Sequence, residues 1–233
     1  MLIAIEGIDG AGKRTQCDLL KSRLVRTGLR AEILSFPRYG QTSVSALIAD
    51  YLNGRFGDLD SVDPHFIGVL FAVDRFETRD EIRGLSKTKD VVLLDRYVGS
   101  NLAYQGARVN PQEYQSFTAW ISKLEYEVFA LPRPDLTLYL DLPVEAAANL
   151  ISRKGLRTYT AHASDLHEEN RHYLDACRSA YRELARTSPD SPWFVVPCAE
   201  ADGQLRLPSE INETIWKIVE DAVRVARDKH ETG

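Results

Sequence analysis

Gly7-Ile8-Asp9-Gly10-Ala11-Gly12-Lys13-Arg14-Thr15 follows the apolar run Leu2-Ile3-Ala4-Ile5 and precedes a segment of helical periodicity. Gly7, Gly12 and Lys13 satisfy the GxxxxGK spacing of a phosphate-binding loop. Glycines there let successive backbone N–H groups turn inward, and the following helix offers the positive end of its dipole to an anion. Gly7, Gly10, Ala11, Gly12, Lys13, Arg14 and Thr15 are the candidate nucleotide-phosphate contacts, with Lys13 reaching the outer phosphates. The pattern departs in one place. The Ser or Thr that ordinarily follows the lysine and holds Mg²⁺ is Arg14 here, and Thr15 comes one position late.

The rest of the chain supplies an α/β frame for this loop. Residues 2–6 read as a buried parallel strand, and Cys17, Leu20 and Leu24 mark a helix closed by Gly28. Residues 31–36 read as a second strand. It runs into Phe36-Pro37-Arg38-Tyr39-Gly40, a loop at the carboxyl end where open α/β sheets bind ligands. Val44, Leu47, Ile48 and Tyr51 form a helical stripe stopped by Asn53-Gly54. Asp63-Pro64, an N-cap with a first-turn proline, opens a helix carrying Ile67, Leu70, Phe71 and Asp74 and expected to run to Gly84. Val91-Val92-Leu93-Leu94-Asp95 is the cleanest strand and delivers a carboxylate at its carboxyl end. Asp95 reads as a Walker-B aspartate, or as a solvated residue that merely ends the strand. Asn110-Pro111 starts a helix bearing Phe117, Trp120, Ile121, Leu124 and Val128, a stripe for the core or a subunit interface, halted by Pro132-Arg133-Pro134. Residues 136–141 form a fourth strand, and Pro143 opens a short helix ending near Ser152.

Residues 152–164 lack apolar periodicity and carry Arg153, Lys154, Gly155 and Arg157. They read as a mobile basic lid, placed at about residues 152–165, or as a solvated charge run. Asp165 can cap a helix running to about Thr187, Trp193 to Val196 is a fifth strand, and Ile211, Ile215, Ile218 and Ala222 mark a closing helix. Five strands separated by helices predict a doubly wound parallel sheet flanked by helices. A single domain is expected over residues 1–228, with a flexible tail at 229–233.

At 233 residues and 44% hydrophobic composition the chain can bury a sizeable core. Its 29 basic and 34 acidic side chains lack the basic footprint of a protein that coats nucleic acid. Anions must therefore be held locally. Cys17, Cys177 and Cys198 are scattered and odd in number, which argues against a disulfide framework or a zinc site and suits a reducing cytoplasm. No signal peptide and no membrane span are expected. His162, His167 and His172 are spaced five apart, which does not align them for a metal.

From Leu93 to Gln105 the chain reads Leu-Leu-Asp-Arg-Tyr-Val-Gly-Ser-Asn-Leu-Ala-Tyr-Gln, which resembles the signature of the thymidylate kinases. Asp95, Arg96, Tyr97, Ser100, Ala103 and Tyr104 stand where that signature wants them. The likeness extends from residue 1 to about 200, and Phe36-Pro37-Arg38-Tyr39-Gly40 together with Arg14 looks most like the actinobacterial members. The resemblance implies a five-stranded parallel sheet of the P-loop nucleoside monophosphate kinase type, a homodimer, and transfer of a phosphoryl group from ATP to dTMP with Mg²⁺. ADP and dTDP would be the products, as a step of dTTP synthesis. No nucleic-acid or membrane partner is implied.

It also implies roles for matched residues. Lys13 falls on the donor phosphates and Arg96 on the acceptor phosphate, where a guanidinium gives bidentate contacts. Asp9 falls on the acceptor sugar or a nearby metal. Phe71 would stack on the pyrimidine and Arg75, one turn on, would donate to a base carbonyl. Asn101 would lie near the base edge, and Tyr104 where a ribose 2′-hydroxyl is excluded. Phe36, Arg38 and Tyr39 would line the acceptor side. Gly10 stands where some members carry a catalytic arginine, so that duty passes to Arg153 or Arg157 in the lid. Asp9, Asp95 and Glu168 are the candidate metal carboxylates; Asp165 and Glu168 otherwise form an ordinary acidic first turn. Two other classes compete: a nucleoside monophosphate kinase reading another base, and a GTP-dependent switch. The second lacks an NKxD motif, and its sole DxxG falls inside the phosphate loop.

Overall fold

The computed structural model describes residues 1–151 and 171–231. Its elements, in chain order, are β1 (Leu2–Glu6), α1 (Lys13–Arg26), β2 (Ala31–Ser35), α2 (Ser45–Leu52), α3 (Pro64–Thr88), β3 (Val91–Asp95) and α4 (Val98–Gly106). Then come α5 (Tyr114–Ser122), β4 (Leu136–Asp141), α6 (Val144–Ile151), α7 (Arg171–Thr187), β5 (Trp193–Pro197) and α8 (Pro208–Glu231). The strands form one five-stranded parallel sheet in the order β2-β3-β1-β4-β5.

β1, β3 and β4 are nearly all apolar because helices cover them: α1 packs with α8, while α3 and α7 each pack against α4. Ile5 and Ser35 both pair in register with Asp95, so the carboxyl ends of β1, β2 and β3 share one edge. The loops that leave these three strands therefore meet there, which brings Gly7–Gly12, Phe36–Gly40 and Asp95–Tyr97 together.

Three elements differ from the sequence expectation. α3 does not stop at Gly84 but runs to Thr88. A lone glycine costs a helix only about 1 kcal/mol, too little to end one that is capped at Asp63 and buried through Ile82. α4 fills a stretch that read as motif rather than as an element. α5 begins at Tyr114, and from Lys123 to Val128 the chain winds as a π-helix. That wider turn rotates the expected stripe, so Val128 emerges 65% exposed while Glu125 turns fully inward.

Candidate active site

The phosphate loop is shaped by its glycines. Gly7 has φ +148°, and a Cβ there would lie 2.8 Å from the Leu140 carbonyl oxygen. Gly10 has φ +84°, and its Cβ would meet the Ala147 carbonyl oxygen at 2.8 Å. Only glycine satisfies both the conformation and the space. Gly12 ends the loop in the left-handed region and caps α1 without a side-chain bond, leaving the first N–H groups of α1 available to an anion. Lys13, buried, curls under the loop and donates from Nζ to the carbonyl oxygens of Gly7 (2.9 Å) and Ile8 (2.8 Å). Burial, then the Arg96 cation, lowers its pKa to about 8 against the pull of Asp9, Asp95 and Glu6. Arg14 points away: it is exposed, bonded to Asp18 at 3.0 Å and to the Ser35 hydroxyl at 3.3 Å. Thr15 is exposed as well.

Beside the loop, Asp9, Arg96 and Tyr104 form one cluster. Arg96 Nη2 pairs with Asp9 Oδ1, and the Tyr104 hydroxyl donates to Asp9 Oδ2 at 2.7 Å while accepting from the Asp9 N–H at 3.0 Å. Arg96 also lies over the Tyr104 ring, 5.2 Å from its centroid. Burial works against the Arg96 cation, but Asp9, Tyr104, Tyr181 and Asp95 together more than offset it and hold the guanidinium well above its ordinary pKa. Burial and then Asp9 push the Tyr104 phenol well up, so it remains a donor. Arg96 has φ +67°, a left-handed conformation that costs a non-glycine residue on the order of 1–3 kcal/mol. That conformation follows the sharp exit from β3, where the Arg96 N–H still bonds the Ile5 carbonyl at 3.0 Å.

Glu6 supports this cluster and was not singled out from sequence. Fully buried at the end of β1, it accepts from the Tyr97 N–H (2.8 Å), the Ser100 hydroxyl (2.6 Å) and the Tyr181 hydroxyl (3.0 Å). Ser100 in turn accepts from Arg96 Nη1 at 3.2 Å. One signal was available: Glu6 is a carboxylate closing an apolar strand, the same sign that marked Asp95. Tyr173 and Tyr181 of α7 pack edge-on against the Tyr104 ring. α7 is anchored by Arg178 and Arg182, which bond Asp141 at the end of β4 at 2.7 and 2.8 Å. Burial of Asp141 would raise its pKa, but those two arginines bring it below the ordinary value.

At the far side, α3 presents Gly68, Phe71 and Arg75 at i, i+3 and i+7. Phe71 and Tyr39, both half-buried, border a small apolar cluster of Ile48, Tyr51, Leu52 and Ile67. Arg75 is buried and paired with Glu125, which also accepts from Asn101 Nδ2 at 2.9 Å. Phe36 belongs to the main core, its ring 6.0 Å from that of Tyr97. The Arg38 guanidinium bonds Glu81 of α3 at 2.7 Å, and its N–H bonds the buried Asp74, which also holds Thr42 and so fixes this loop. The structure thus gathers Asp9, Lys13, Arg96 and Tyr104 closely, pairs Arg75 with Asn101, and turns Arg14 and Arg38 toward carboxylates outside that cluster. Arg153, Arg157, Asp165 and Glu168 lie outside the described residues.

Among the described residues no three His, Cys, Asp or Glu side chains group as a metal site. Mg²⁺ needs fewer: one or two carboxylates together with substrate phosphates. Asp9 in the phosphate loop and Asp95 at the end of the adjacent β3 are the two carboxylates of that kind near Lys13 that could serve.

A phosphate loop after the central strand, an Asp-Arg pair leaving the neighbouring strand and a 2-3-1-4-5 parallel sheet define a P-loop phosphotransferase of the nucleoside monophosphate kinase type. The family model described as "Thymidylate kinase" matches residues 5–201, and the chain belongs to the thymidylate kinase family. It is 37% identical over 205 residues to the thymidylate kinase of Mycobacterium tuberculosis, covering 88% of this chain and 95% of that one. It is 29% identical over 229 residues to the human thymidylate kinase, covering 98% and 93%. A solved thymidylate kinase structure from Candida albicans shares the fold with a TM-score of 0.69 at 24% identity, covering 95% of this chain and 91% of that one.

Proposed function

We infer that the chain transfers the γ-phosphoryl group of ATP to dTMP, giving ADP and dTDP, a step toward dTTP. The observation that carries this reading is the Asp9–Arg96–Tyr104 cluster at the lip of the phosphate loop. It is an acceptor site set directly against a donor site. Phosphoryl transfer needs in-line alignment and positive charge on the transferred oxygens, and little covalent help. Lys13 and the first N–H groups of α1 take the donor phosphates, and Arg96 takes the acceptor phosphate with Tyr39 and Arg38 nearby. Asp9 takes the sugar end, and Tyr104, bonded to it, takes the position that turns away a 2′-hydroxyl. Phe71, Arg75 and Asn101 read the base. Arg153 or Arg157 brings the further positive charge that Gly10 does not supply.

Asp9 and Asp95, with Glu168 as a third candidate, would hold Mg²⁺ together with phosphates and water. The ion would neutralise phosphate charge as transfer proceeds. Arg14, bonded to Asp18 and Ser35, takes no part in holding it, and Thr15 is left out of this ligand set.

Residues 1–228 are read as one kinase domain. A homodimer is supported by α3, whose Phe66, Val69 and Phe76 are 75%, 37% and 38% exposed along one face. All three cysteines are free and buried, which suits a reducing cytoplasm, and no helix among the described residues is long and apolar enough to cross a membrane.

The test is to supply ATP, Mg²⁺ and dTMP and to quantify both products. ADP and dTDP are expected in equal amounts. ADP formed without dTDP would make the chain an ATPase and overturn the reading.

A further inference from the structure

Glu125 takes no part in the phosphate chemistry, yet it is fully buried, and only the π-helical turn at Lys123–Val128 brings it inward. Its carboxylate accepts from Arg75 Nε at 2.5 Å and Nη2 at 2.7 Å, a side-on fork. Burial works against the Arg75 charge, and Glu125, with Asp74 and Tyr97 behind it, more than compensates. The same carboxylate accepts from Asn101 Nδ2 at 2.9 Å, and the other Nδ2 hydrogen goes to the Gly68 carbonyl oxygen at 2.9 Å.

With two acceptors facing Nδ2, the Asn101 amide cannot turn over. Its Oδ1 is then left buried with no partner among the described residues. A buried acceptor without a donor is uncommon in native proteins and points to something that arrives to satisfy it. Arg75 uses one hydrogen each on Nε and Nη2, which leaves both Nη1 hydrogens and the second on Nη2 uncommitted among the described residues. Arg75 and Asn101 share Glu125 Oε1 and are therefore neighbours.

Side by side, the pair offers one donor and one acceptor. A 4-oxopyrimidine presents the complement, a C4 carbonyl next to an N3–H. A 4-aminopyrimidine presents an amino group next to a bare nitrogen, so donor meets donor and acceptor meets acceptor. We propose that Glu125 is a positioning residue that sets the polarity of the Arg75–Asn101 pair, so that the site takes 4-oxopyrimidine nucleotides and turns away 4-amino ones. This rests on the reading that Arg75 and Asn101 meet the acceptor base. A purely structural ion pair would affect stability and leave base discrimination alone.

Glu125→Gln places an NH₂ against either Arg75 or Asn101 Nδ2, which breaks the fork and frees the amide to turn. In the full chain with ATP and Mg²⁺, KM for dTMP and the competitive Ki of dCMP against dTMP are measured for wild type and variant, along with Tm. The expected result is a ratio of Ki to KM that falls about tenfold or more, through KM for dTMP, with kcat near wild type. A ratio within about twofold of wild type, or a loss confined to kcat, overturns the proposal. Should Glu125→Gln not fold, Glu125→Asp decides: its shorter carboxylate cannot span both partners, so KM for dTMP rises with kcat retained, and an unchanged KM overturns the proposal. A wild-type enzyme that prefers dCMP overturns the base-site reading itself, before any variant is compared. A wild type that prefers dTMP beside an indifferent variant overturns only the role of Glu125.

Discussion

Lys13 is the residue on which charge and burial conflict most. A lysine ordinarily titrates near 10.5, and here burial and Arg96 bring it to about 8. The folded form therefore binds its proton less tightly than the unfolded chain. Lys13 thus makes stability rise with pH between about 8 and 10.5 and contributes no slope well below that window. Phosphate oxygens around Nζ would restore its pKa. Nucleotide binding at pH 9 should then draw in about one proton, and close to none at pH 6.5. Calorimetry of ATP binding in buffers of different ionisation enthalpy measures this, and buffer-independent heats at pH 9 would show that Lys13 does not meet the phosphates. Arg96 makes the complementary point: it keeps a left-handed backbone and a buried charge because Asp9, Ser100 and the Gly7 carbonyl all hold its guanidinium.

Among the elements, the phosphate loop has the least freedom. Gly10→Ala would combine a positive φ with a Cβ 2.8 Å from a backbone oxygen of α6, which cannot move aside as a flexible side chain would. A loss of about 2–4 kcal/mol is expected, visible as a lower midpoint in urea, together with weakened ATP binding. Wild-type stability would mean that α6 does not sit against the loop.

The same element shows what a sequence can disclose. Gly7, Gly12 and Lys13 were legible because the loop is local: spacing alone places the groups. Asp95 was legible because a strand end is local too, whereas Arg96 was marked only by the resemblance over Leu93 to Gln105. Glu125 was not, since its burial depends on a π-turn that no periodicity marks, and its partners lie 24 and 50 positions away. Nor was the pairing of Arg38 with Glu81 or of Arg14 with Asp18, because which carboxylate captures an arginine is settled by packing. The stripe on α5 misplaced Val128 for the same reason that it hid Glu125. Gly84 misled in the opposite sense, as a helix breaker overruled by the burial around it.

For the whole molecule, the sheet order explains why the site lies where it does: β1 is central, β3 is its neighbour, and the loops of both leave one edge beside that of β2. The exposed face of α3 lies on the same helix that carries Phe71 and Arg75, so dimer formation through it would brace that helix. Phe66→Glu should convert a dimer into a monomer by light scattering and raise KM for dTMP more than it lowers kcat. An unchanged mass, whether dimeric or already monomeric in wild type, would contradict that use of the face. The central claim, that this edge joins ATP to a thymine deoxynucleotide, is tested most directly by competition. Wild-type protein is given limiting ATP with Mg²⁺ and an equimolar mixture of dTMP, dUMP, UMP, dCMP and GMP, and the diphosphates formed are quantified by mass spectrometry. dTDP is expected to predominate, with UDP and dCDP scarce; a product mixture led by any other diphosphate would show that this edge takes another nucleotide.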